Sequence, residues 1–141
     1  MDARAEKWAG QVVAQARVSG APVTVERLTR LIDELSTVMD KVVGPVGFLA
    51  LVRRAVHLAR RPFGWFQDIE FQPGTAVALS GLKAVAEREA LSDVEAGVTC
   101  LLGNLFQLLC AFIGEGLTLK LLVQTWPHLK NALGSDALGG V

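Results

Sequence analysis

Phe112–Leu122 reads FIGEGLTLKLL, a lone glutamate between two glycines with apolar residues on both sides. Three readings compete for Glu115: a catalytic acid, a charge inside a membrane span, or punctuation between two helices. A second stretch of the chain decides among them. At an offset of 70 residues, VVGPVGFLAL (Val42–Leu51) falls beside FIGEGLTLKL. Leu31, Ile32, Leu35, Val38 and Met39 then meet Leu101, Leu102, Leu105, Leu108 and Leu109, and Gly44 meets Gly114. The two stretches read as one device used twice: apolar helix, glycine stop, apolar helix. Pro45 and Glu115 fall at the same place, the first turn of the second helix. Proline is tolerated there, and a carboxylate complements the helix dipole by about 0.3–1 kcal/mol. Glu115 is therefore expected to be punctuation.

Working outward, the amphipathic patterns predict an all-α chain of about six helices. Residues 4–18 place Trp8, Val12 and Ala16 in one row. Thr24 is suited to N-cap a helix running to Val43, whose core face is Leu28, Leu31, Ile32, Leu35, Val38, Met39 and Val42. Its wet face carries Glu26, Arg30 and Glu34 at a spacing of four, as a solvated helix would. A third helix starts at Pro45 and runs to about Arg61. A weaker one falls within 76–89, although DIEF and the following PGTAVAL alternate in a way that also suits a short hairpin over 69–79. Ser92 and Glu95 have the spacing of a capping box for a helix ending at Ile113. The last helix occupies 115–126 and stops at Pro127. The expected fold is one compact domain over 1–131, with helices 24–43 and 92–113 at its centre. Two helix–Gly–helix hairpins related by an internal pseudo-repeat are expected within it, and a frayed tail follows over 132–141.

Composition narrows the function classes. The chain has 141 residues, 51% of them hydrophobic, and a formal net charge of zero. A neutral balance gives no bulk attraction to nucleic acid. Ala96 to Gly114 is uncharged over 19 residues, close to the roughly 18–20 that cross a bilayer. Gly97, Thr99, Gly103, Asn104 and Gln107 make that segment a poor insert, and a fully buried bundle helix has the same all-round apolarity. The N-terminal MDARAEKWAG lacks the apolar core of a signal peptide, so a cytoplasmic location is expected. Cys100 and Cys110 have no basic neighbour to activate them, and His57 and His128 have no companion ligands. No metal, cofactor or catalytic motif is read.

The densest unusual feature is RRPFGWFQDIEF, 60–71. It holds Phe63, Trp65, Phe66 and Phe71, four of the nine aromatic residues in the chain. Just upstream, Arg53, Arg54, His57, Arg60 and Arg61 sit at spacings that put most of them on one side of a helix. The expected function is a non-enzymatic, adaptor-like module that docks a protein partner or self-associates, with a homo-oligomer expected. Its surface is read as Arg53, Arg54, His57, Arg61, Phe63, Trp65, Phe66, Leu117, Leu121 and Trp126. The apolar members belong to helices whose hydrophobic residues exceed what one bundle face covers. Two other readings fit the same residues less well. One is a ligand-binding domain with an aromatic lid at 63–71. The other is a membrane-active protein inserting its 92–126 hairpin.

Overall fold

The computed structural model describes residues 3–15, 24–68, 84, 87–127 and 129. They form five α-helices: α1 (Ala3–Gln15), α2 (Val25–Met39), α3 (Pro45–Ala59), α4 (Leu91–Ile113) and α5 (Glu115–Thr125). A 3₁₀ turn, Gly64–Asp68, follows α3. No described residue is in a strand. The helix expected within 76–89, the alternative hairpin over 69–79 and the tail over 132–141 lie outside the described residues.

α4 is the axis of the bundle and touches every other helix. Val94, Val98, Leu101, Leu102, Leu105, Phe106 and Leu109 are all buried along it. It is long and apolar enough to cross a membrane, yet it spends that apolarity on its neighbours. α2 does not share the centre as expected. Leu28, Leu31, Ile32, Leu35 and Met39 are buried, while Arg30, Asp33, Glu34 and Thr37 face solvent. This is the one-sided pattern of a helix on the flank.

Local signals set several boundaries. Thr24 caps α2: its backbone is extended and its hydroxyl oxygen accepts from the Arg27 N–H at 3.1 Å. α2 ends at Met39, four residues before Val43, because residues 40–43 tighten into turns in which the Val42 and Val43 N–H groups both donate to the Met39 carbonyl. That tightening swings Val42 out of the core face expected for it, leaving it 43% exposed. The Ser92–Glu95 capping box does not form. Ala90 takes the extended N-cap conformation, its carbonyl accepts from the Asp93 and Val94 N–H groups, and Ser92 falls inside the first turn.

The two glycine corners have matching backbones. Gly44 lies at φ 83°, ψ 153° and Gly114 at φ 92°, ψ 151°. This region is essentially closed to residues with a Cβ. Each glycine carbonyl accepts the first amide hydrogen bond of the following helix, from Phe48 N–H at 2.9 Å and Thr118 N–H at 3.0 Å. A Cβ at Gly114 would meet nothing within 4 Å, so any cost of adding one is backbone strain. Gly114→Ala is expected to lower stability by about 1–3 kcal/mol, read from the urea midpoint. An unchanged midpoint would mean the corner relaxes freely and does not set the angle between α4 and α5.

Glu115 is the first residue of α5, half out in solvent, and its carboxylate pairs with Arg4 of α1. It is punctuation with a surface ion pair, a contact worth at most about 1 kcal/mol.

Candidate functional site: a basic groove at the end of α3

α3 divides by spacing. Phe48, Val52, Ala55, Val56 and Ala59 are buried on one face, which packs against α4. The opposite side carries the arginines. After Ala59 the chain turns sharply: the Phe63 N–H donates to the Ala59 carbonyl at 3.0 Å, and the Phe66 N–H to the Phe63 carbonyl at 3.1 Å. The 3₁₀ turn thereby folds back onto α3.

An aromatic wedge fastens this turn to α4. Trp65 and Phe66 stack with ring centroids 4.1 Å apart and planes 21° from parallel, and Phe63 meets both edge-on. The stack presses against Gly97, where a Cβ would lie 2.4 Å from the Trp65 ring. Gly97 is thus a slot cut for the indole. Phe66 is fully buried and Trp65 and Phe63 half-buried. The wedge leaves no room beneath it at that contact. Phe71, the fourth aromatic residue of the stretch, lies outside the described residues.

Between α3 and the anchored turn runs an open groove of about 560 Å³, lined by Arg54, His57, Leu58, Arg60, Arg61 and Gln67. No carboxylate is among the described residues that line it. The side chains of Arg54, His57 and Arg61 are exposed and make no ion pair with a described residue. The buried Arg60 Nε has no hydrogen-bond partner among the described residues. Cations near a helix C-terminus are favourable, but that effect fades within the last turn and Arg54 lies beyond it. Like charges gathered around one concave surface repel, and an anion seated among them relieves the repulsion.

The structure therefore brings together three of the expected surface residues, Arg54, His57 and Arg61. Arg53 is exposed but does not line the groove. Three others belong to the interior. Phe66, Leu121 and Trp126 are 0%, 7% and 3% exposed, because α5 lies against both α2 and α4 and the aromatic turn lies against α4. Leu117 is partly exposed, and among the described residues the most open apolar side chains are Val46 and Phe112, at the glycine corners. Leu58 and Gln67 escaped the sequence reading. Helical spacing from Arg54 points to Leu58, while Gln67 joins through a 3₁₀ fold-back with no sequence signal.

Other chemistry is sparse. Burial pushes the Cys100 thiol above its ordinary value, with the Asn104 amide pulling weakly the other way. That is the opposite of an activated nucleophile. Among the described residues, no three His, Cys, Asp or Glu side chains gather as a metal site would require. No protein-family model, curated protein or solved structure matches the chain.

Proposed function

We propose that this protein is a non-enzymatic interaction module that docks an acidic protein segment in the groove at the end of α3. The observation that carries the reading is the set of three arginines, Arg54, Arg60 and Arg61, with His57 beside them, around a groove whose described lining holds no carboxylate. Guanidinium groups bind carboxylates in a bidentate fork, and Leu58 gives the groove an apolar patch for a flanking side chain.

The same reading takes the chain as two copies of one helix–Gly–helix unit, and this bears on the groove. In the 70-residue alignment, burial runs in register across both corners. Leu35, Ser36 and Met39 match Leu105, Phe106 and Leu109 as buried positions, and Phe48 and Val52 match Thr118 and Leu122. Val42 and Phe112 match as exposed ones. The copies diverge along the basic stripe: Arg53, Arg54 and His57 stand where the second unit has Val123, Gln124 and Pro127. Val123 and Gln124 stand within α5 at the places Arg53 and Arg54 hold in α3, so helix formation there does not call for arginine.

The test is fluorescence anisotropy with a short labelled poly-glutamate peptide and a poly-lysine control. Binding is expected for the acidic peptide alone, and it should weaken as salt is raised. Arg54→Glu with Arg61→Glu is expected to reduce affinity by about tenfold or more while leaving helicity intact. Equal binding by wild type and variant would place the site elsewhere.

A further inference from the structure

We propose that the acidic segment is carried by a second copy of this chain, which sets its own residues 87–95 into its neighbour's groove. The inference rests on the reading of the groove given above. Residues 71–141 contain six carboxylates, and four of them, Glu87, Glu89, Asp93 and Glu95, fall within the nine residues EREALSDVE. Residues 53–61 hold four arginines and no carboxylate. The chain is neutral as a whole but strongly polarised between these two stretches. Zero net charge removes the long-range repulsion that keeps like copies apart.

The match is more than charge. Leu91 stands amid the acidic run and is one of few large apolar side chains left exposed, at 38%. Leu58 lies half-buried among the arginines of the groove. Glu87 and Asp93 are exposed and Glu89 is half-buried, so an apolar residue flanked by acids faces an apolar residue flanked by bases.

Placement agrees. Gly97, near the start of α4, holds Trp65 of the turn whose Gln67 lines the groove. The acidic run and the groove therefore share one end of the molecule. No residue of 87–95 lines the groove of its own chain. In a twofold dimer formed through that end, each copy's run meets the other's groove and the contact is made twice.

The experiment is size-exclusion chromatography with light scattering on the full chain at low ionic strength, over a range of concentrations. A dimer is expected that dissociates as salt is raised. Two variants are then compared, each checked by circular dichroism for folding. Arg54→Glu with Arg61→Glu reverses the groove. Glu87→Arg with Glu89→Arg reverses the run. Each alone is expected to weaken the dimer by about tenfold or more. An equimolar mixture is expected to restore it, because in the mixed pair reversed groove meets reversed run and native groove meets native run. A dimer indifferent to both reversals overturns the proposal. So does a wild-type chain that stays monomeric while still binding poly-glutamate, and in that case the groove keeps its function with a different partner. A chain that neither dimerises nor binds the peptide overturns both readings together.

Discussion

Leu121→Glu is expected to unfold the protein rather than to separate an oligomer. Leu121 is 7% exposed, between Leu119 at 4% and Leu122 at 0%. Removing a buried leucine costs about 2–5 kcal/mol through lost contacts and the cavity left behind. A carboxylate placed there adds the penalty of an unpaired buried charge, several kcal/mol more unless the group protonates. Together they amount to about 4 kcal/mol or more, against a total stability of about 5–15 kcal/mol for a domain of this kind. The expected result is loss of the helical circular dichroism signal, or a urea midpoint lowered by a large fraction. Phe112→Glu is the internal comparison. At 67% exposed, its side chain already stands mostly in water, and the change should fall within about 0.5 kcal/mol. A Leu121→Glu chain that stays helical with an unchanged midpoint would show that α5 presents this face to solvent.

The contrast between those two positions shows what the sequence can carry. Features held by one segment were legible. Thr24 announced its cap, Pro45 its first turn, Gly114 its stop and Glu115 its place at the start of α5, because each depends on backbone geometry within a few residues. The all-α class followed from spacing alone. Features that depend on which other segment lies alongside were not legible. α5 carries apolar side chains around more than one face, and sequence reasoning took the excess for an exposed surface. α2 and α4 supply neighbours on both sides, so Leu121 and Trp126 are core. Gly97 had the same fate. Within the sequence it is a residue that weakens a membrane span, and in the fold it is the slot that admits Trp65.

Of the candidate site, the arginines were legible because charge with helical spacing needs no knowledge of the rest of the fold. The groove itself was not, since one wall is a 3₁₀ turn whose position depends on the packing of Trp65 against Gly97, a residue far along the sequence. The polarity of charge between 53–61 and 87–95 is plain in the sequence. Its meaning emerges only when the wedge places the two stretches at one end of the molecule.

That dependence makes Phe66→Ala the second large effect. Phe66 is fully buried, stacked on Trp65 and met edge-on by Phe63 at 6.4 Å. Truncating a buried phenylalanine costs about 3–5 kcal/mol, and Phe66 is the fully buried member of the wedge that sets the 3₁₀ turn against α4. The urea midpoint should fall accordingly, with a change in indole fluorescence as Trp65 loses its stacking partner. The effect should also reach the groove, because Gln67 follows Phe66 directly in the wall. Binding of poly-glutamate, measured where the variant remains folded, should weaken. Leu109→Ala, also in the core but remote from the turn in sequence, provides the comparison: it costs about 2–5 kcal/mol and should leave the peptide affinity of the folded fraction unchanged. If both variants lose stability and neither loses affinity, the wedge supports the fold without shaping the groove. If Phe66→Ala leaves the midpoint untouched, the wedge does not anchor the turn to α4 at all.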